Sequence, residues 1–132
     1  MRLVLNVDGG ARGNPGPAAI GVVIATPEGE TVERIAETIG VATNNVAEYR
    51  ALLRGLERAR ELGAEAVEVR GDSELVVKQV AGEYRVRSAE LKPLHAAALE
   101  ALAGFERWSL RHVPRAENAS ADALVNAALD AG

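Results

Sequence analysis

Residues 5–24, LNVDGGARGNPGPAAIGVVI, hold an apolar run, a lone aspartate, four glycines and two prolines within nine residues, and then a second apolar run. The first run reads as a strand from Arg2 to Asp8, with Leu3, Leu5 and Val7 alternating onto one face and Val4 on the other. The Gly/Pro tract is a turn, and AAIGVVIA (18–25) is a second strand returning from it. A hairpin therefore opens the chain, and an isolated carboxylate, Asp8, ends its first strand at the mouth of the turn. The glycines do not form a dinucleotide cradle, because the spacing is not GxGxxG and Pro15 and Pro17 lead into a strand instead of a helix.

Outward from the hairpin, TPEGE (26–30) is a turn and residues 31–39 a third strand, completing an antiparallel meander. The period then changes. Tyr49, Leu52, Leu53, Leu56 and Ala59 keep helical spacing across 45–62, with Gly63 as the C-terminal glycine. AVEVRGD (66–72) is a fourth strand, SELVVKQVAG (73–82) a short helix, and GEYRVRSAELKP (82–93) a polar connection. Leu91–Leu102 form an Ala-rich helix. FERWSLRHV (105–113) is a fifth strand with Trp108, Leu110 and His112 alternating inward, and SADALVNAALDA (120–131) is a last helix. The order βββαβααβα predicts an α/β fold: a mixed five-stranded sheet, three strands antiparallel and two parallel, flanked by helices. One domain over 1–132 is the expected organisation.

Composition bounds the function. With 132 residues, 48% hydrophobic and 26% charged, the chain reads as a globular protein with an aliphatic core. The absence of cysteine excludes disulfides, thiolate metal sites and a cysteine nucleophile. No apolar run approaches the roughly 20 residues of a membrane span. The N-terminus shows no signal-peptide pattern, so a cytoplasmic protein with no membrane partner is expected. The net charge of −4 argues against gripping a polyanion by bulk charge. Any such ligand needs a local site or a metal ion.

Four carboxylates stand at element ends. Asp8 ends the first strand, Glu48 lies in the first turn of the long helix, Asp72 ends the fourth strand and Asp122 lies in the first turns of the last helix. If the first and fourth strands are parallel neighbours, Asp8 and Asp72 lie together at the carboxyl edge where α/β sheets hold their sites. Two unit charges about 4 Å apart repel by roughly 4 kcal/mol at an effective dielectric near 20, so such a cluster requires a cation. All-oxygen donors favour Mg²⁺ or Mn²⁺ over zinc. Taken singly, each residue also has a structural reading. Asp8 can form a turn with Gly9 and Gly10, Glu48 can complete a capping box with Asn45, Asp72 can cap the short helix, and Asp122 can be a solvated helix residue.

The surroundings of these acids resemble the type 1 ribonuclease H family. DGGARGNPGPAAIGVVI (8–24) is similar to the family's opening aspartate, glycine-rich turn and second strand, and TNNVAEYRALLRGLERA (43–59) to its Thr-Asn-Asn and glutamate-bearing helix. VEVRGDSELVVKQV (67–80) resembles its strand, Asp-Ser and short helix, and RHVPRAENASADALVNAAL (111–129) its last strand, loop, asparagine and helix-borne aspartate. The resemblance implies a compact form lacking the basic protrusion of longer relatives. It also implies an endoribonuclease that hydrolyses the RNA strand of an RNA–DNA hybrid, leaving 3′-hydroxyl and 5′-phosphate ends. Two Mg²⁺ ions are implied, with Mn²⁺ as substitute. By the same carry-over Asp8 bridges both ions, Glu48 and Asp72 complete the leaving-group side, and Asp122 holds the ion that activates water.

The resemblance further implies that Thr43 and Asn45 grip a phosphate of the DNA strand, that Asn14 and Asn44 read the minor groove, and that Ser73 contacts substrate beside Asp72. Gly9, Gly10, Gly13 and Gly16 let backbone approach the RNA. His112 and Arg115, ten and seven residues before Asp122, are the candidates for assisting catalysis; Arg115 is favoured, as a group stabilising phosphate charge. Glu74 replaces a neutral residue common in relatives. The segment 82–93 offers only a reduced basic grip, so binding is expected to be weak with a shallow salt dependence. No obligate protein partner is evident, and a monomer is expected. The competing expectations are a metal-dependent nuclease of double-stranded RNA or DNA, and a hybrid-binding module with weak catalysis.

Overall fold

The computed structural model describes residues 1–132. The chain runs β1 (Arg2–Ala11), β2 (Gly16–Ala25), β3 (Thr31–Ala42), α1 (Asn44–Glu61), β4 (Ala66–Gly71), α2 (Glu74–Val80), α3 (Leu91–Ala103), β5 (Arg107–His112), a 3-10 turn (Arg115–Asn118) and α4 (Ala119–Ala131). The five strands form one sheet in the order β3-β2-β1-β4-β5. β1–β2 and β2–β3 pair antiparallel, whereas β1–β4 and β4–β5 pair parallel. The expected mixed sheet and its meander are both present. No helix is long and apolar enough to cross a membrane.

Strand alternation sorts the layers. Leu3, Leu5 and Val7 of β1, with Ile20, Val22 and Ile24 of β2, are buried with Tyr49, Leu52 and Leu56 of α1 and Leu102 of α3. The opposite face of β1, β2 and β3 is covered by α4, which buries Ala121 and Val125 there. On the α1 side the buried Tyr49 hydroxyl donates to Gln79 Oε1 at 2.7 Å, and His95 Nε2 lies 3.0 Å from the Gln79 carbonyl. These contacts tie α2 to both α1 and α3.

Two expectations about the strands are corrected. Asp8 does not end β1: the strand continues through Gly9, Gly10 and Ala11, because these pair with Ile20, Ala19 and Ala18 of a β2 that already begins at Gly16. What stops at Asp8 is the parallel pairing, whose last partners are Val7 and Gly71. In β5 the inward alternation fails, since Trp108 is 42% exposed and His112 is exposed, leaving Leu110 as the residue packed on the core. β5 is an edge strand against which α2 packs, so its ends lack a helix to bury them.

Candidate active site

The edge where β4 ends and β1 continues gathers the carboxylates. Asp8 is 7% exposed and pairs across the sheet with Gly21, and Asp72 follows the last residue of β4. Glu48 reaches them from α1, its Oε1 accepting the Gly9 amide at 2.6 Å. One carboxylate oxygen from each of Asp8, Glu48 and Asp72 lies within 4.8 Å of the others. Asp122 stands outside this trio but lines the same open cleft of about 460 Å³, together with Gly9, Gly10, Asn44, Asn45, Ser73 and Arg115. A larger groove of about 630 Å³ between β3 and α1 is crossed by the Arg54–Glu37 and Arg54–Glu57 ion pairs and holds no such cluster.

Two glycines set this geometry. A Cβ on Gly9 would overlap the Ala47 carbonyl, so the first turn of α1 rests directly on β1 and delivers Glu48 to the Gly9 amide. A Cβ on Gly21 would overlap the Ala121 carbonyl, so α4 rests on the cross-strand partner of Asp8 and brings Asp122 alongside.

The structural readings of two acids are replaced. Thr43, not Asn45, is the N-cap of α1, its Oγ1 accepting the Val46 amide at 3.2 Å, so Glu48 is not part of a capping box. Ser73, not Asp72, caps α2, with its Oγ accepting the Val76 amide at 3.2 Å. Both carboxylates are thereby left to the cleft. Asn44 Oδ1 accepts the Ala11 amide at 2.8 Å and Asn14 Oδ1 accepts the Asn44 amide at 3.0 Å, stitching the hairpin to the start of α1.

Electrostatically the trio is crowded. Asp8 is pushed up from 3.8 to about 9, first by burial, then by the charges of Glu48 and Asp72, with Asp122 a smaller contributor. Glu48 rises to about 7, mainly by burial, against the lowering effect of the Gly9 amide. Metal-free, this pocket retains protons at neutral pH. A hard divalent cation among the three oxygens would displace them, and an all-oxygen donor set fits such an ion.

The two catalytic candidates near the last aspartate separate in space. Arg115 Nη2 lies 3.9 Å from Asp122 Oδ1 with its side chain 82% exposed. His112 pairs with Gly71, in the row of Val7, which puts it on the α1 side of the sheet and out of the cleft lining. Glu74 is ion-paired to Lys78 at 3.2 Å within α2, and Tyr84 of the polar connection covers both, so this lysine is already neutralised.

One site residue has no role assigned from the sequence, where it stands only as the asparagine ahead of the helix-borne aspartate. Asn118 is fully buried; its Nδ2 donates to the Val7 carbonyl at 2.9 Å and its Oδ1 accepts Asn6 Nδ2 at 3.0 Å. It clamps the start of α4 to the residue before Asp8. The available signal was Asn6, a polar side chain between Val4 and Asp8 on the second face of the strand. Asn118→Ala leaves the Val7 carbonyl and the Asn6 amide without their partner and should cost about 2 kcal/mol, read as a lowered urea midpoint at unchanged m-value.

Comparisons with known proteins agree with this geometry. A family model described as reverse transcriptase-like matches residues 6–128. Ribonuclease HI of Halobacterium salinarum is 50% identical over 123 residues, which cover 93% of this chain and 62% of that protein, so the chain spans less than two thirds of that relative. The crystal structure of RNase H1 from Halobacterium salinarum NRC-1 superposes with a TM-score of 0.98 at 48% identity, covering 100% of both chains. LC11-RNase H1 in complex with an RNA/DNA hybrid superposes with a TM-score of 0.93 at 45% identity, covering 98% of this chain and 97% of that one.

Proposed function

The chain belongs to the type 1 ribonuclease H family, and we propose that it is an endoribonuclease hydrolysing the RNA strand of RNA–DNA hybrids to 3′-hydroxyl and 5′-phosphate ends. The observation that carries this reading is the trio Asp8, Glu48 and Asp72, converging within 4.8 Å at a sheet edge open to a long ligand. Asp8, Glu48, Asp72 and Asp122 would hold two Mg²⁺ ions, with Mn²⁺ as substitute. Bound there, such ions lower the pKa of water and stabilise the attacking and leaving oxygens of an in-line displacement.

The remaining residues orient the duplex. Asn14 and Asn44 use their carbonyl oxygens within the protein, which leaves their amide donors for base edges and 2′-hydroxyls in a wide minor groove. Thr43 and Asn45, at the start of α1, lie where a helix N-terminus favours a phosphate of the DNA strand. Ser73 and Gly10 border the scissile position, and Arg115 stabilises charge on the phosphate. His112 lies outside this set. No obligate protein partner enters the scheme, and a monomer suffices.

Strand-labelled RNA–DNA, RNA–RNA and DNA–DNA duplexes incubated with Mg²⁺, Mn²⁺ or EDTA test the proposal. The expected result is cutting of the RNA strand in the hybrid alone, with either ion and not with EDTA. Cutting of a DNA strand, or cutting that survives EDTA, overturns it.

A further inference from the structure

We propose that the uncovered face of β4 and β5 is a second nucleic-acid contact, an arginine track that takes phosphates of the strand leaving the catalytic cleft. The proposal rests on the hybrid-cleaving reading of the cleft. α4 covers β1, β2 and β3 on this side of the sheet and leaves β4 and β5 bare. The strand register then aligns three rows that run from β1 onto the bare face: Arg2, Ala66 and Arg107; Val4, Glu68 and Ser109; Asn6, Arg70 and Arg111. The next position along β1 in this series is Asp8, so the rows lead straight away from the carboxylates. The 3-10 turn that carries Arg115 joins β5 to the Asn118 clamp on β1 and sits at the junction.

Charge on this face is unbalanced, in a protein whose net charge is −4. Glu68 is the one acid in the rows, and it already serves Arg2 at 3.1 Å and Arg70 at 2.6 Å. Its carboxyl is held below the ordinary value, first by Arg70, with Arg2 and Arg111 contributing. Arg107 and Arg111 have no carboxylate within 4.0 Å. A shallow depression of about 270 Å³ lies between Arg2, Glu68, Arg107 and Ser109. An open, flat surface with two unpaired guanidiniums and a hydroxyl suits an extended polyanion, and its continuity with the cleft identifies that polyanion as the substrate's own backbone.

The span sets a length. Two strand steps of about 4.8 Å across, with two or six residues of about 3.3 Å along, place Arg111 about 12 Å and Arg107 about 22 Å from Asp8. At about 3.4 Å per nucleotide along one strand, Arg107 meets substrate about six nucleotides from the scissile phosphate. A hybrid of about 6 base pairs centred on the cleft misses the track, and one of about 16 engages it.

The test measures binding of both hybrids across 0.05–0.2 M salt, in an Asp8→Asn background so that nothing is cut; cleavage by the unaltered protein separately judges the catalytic reading. Arg107→Ala/Arg111→Ala should reduce the slope of log affinity against log salt by about 2 on the long hybrid, at about 0.9 per phosphate contact. It should weaken binding about tenfold at low salt and leave the short hybrid unchanged. Arg111→Glu should lose more than Arg111→Ala, an order that a packing defect does not produce. The charge-matched Arg50→Ala/Arg60→Ala, on exposed positions of α1 on the other face of the sheet, should have no length-dependent effect. An unchanged salt slope, equal losses on both hybrids, or the same loss from the control pair overturns the proposal.

Discussion

Asp8→Asn should reduce cleavage at least about a thousandfold, the equivalent of about 4 kcal/mol of transition-state stabilisation, while raising the thermal midpoint of the metal-free protein. The two effects share one cause. Asp8 is the most strongly shifted acid of the trio and the one crowded by the other three carboxylates, so its charge is what a cation must neutralise. Amide replacement keeps the shape and hydrogen-bonding capacity and removes that charge. The sign of the stability effect follows from linkage. The folded protein holds the Asp8 proton up to about pH 9, whereas an ordinary aspartate releases it near 3.8. Between those values the folded state binds more protons than the unfolded one, and its stability falls as pH rises.

The asparagine variant escapes that loss. Its midpoint advantage should be near zero around pH 4, grow with pH, and reach on the order of 5 °C by pH 8. Saturating Mg²⁺ should remove the advantage, because the ion stabilises only the aspartate protein. Calorimetry at several pH values, with and without the ion, measures this. A variant no more stable than the parent at pH 8 would mean that the trio is not electrostatically strained. Asp130→Asn, on an exposed residue at the end of α4, should change neither quantity.

Much of this site was legible because its chemistry coincides with element boundaries. Asp72 directly after AVEVRG, Glu48 early in a helix of clear period, and Asp122 early in the last helix could each be placed from hydrophobic patterning alone. What patterning missed was cross-chain. The glycines after Asp8 read as a turn, yet they extend β1, because strand character there comes from the partners Ile20, Ala19 and Ala18. Asn45 looked like the cap of α1, but the chain turns one residue after Ala42 and gives that role to Thr43. The alternation of Trp108 and His112 promised burial that an edge strand cannot provide. Asn118 and Asn6 lie 112 residues apart, and only the fold pairs them.

The glycine tract supplies the second large effect, since its members differ in a way the sequence does not show. Gly9→Ala should cost about 3 kcal/mol or more and cut activity about a hundredfold, whereas Gly10→Ala should leave stability within about 1 kcal/mol. At Gly9 the new methyl meets the Ala47 carbonyl and lies 2.7 Å from the Glu48 amide nitrogen, all of it backbone held inside a helix. The first turn of α1 must retreat, and Glu48 loses its 2.6 Å bond to the Gly9 amide and its place in the trio. At Gly10 the methyl meets Val125 Cγ1 at 3.7 Å, an ordinary contact. Urea unfolding reads the stabilities, and the Mg²⁺ concentration for half-maximal cleavage reads the position of Glu48; it should rise for Gly9→Ala and hold for Gly10→Ala. Any loss from Gly10→Ala should instead appear in KM for the hybrid, because that backbone borders the cleft without supporting a helix. A Gly9→Ala protein with parental stability and parental metal requirement would show that contact between α1 and β1 does not set the geometry of the carboxylates.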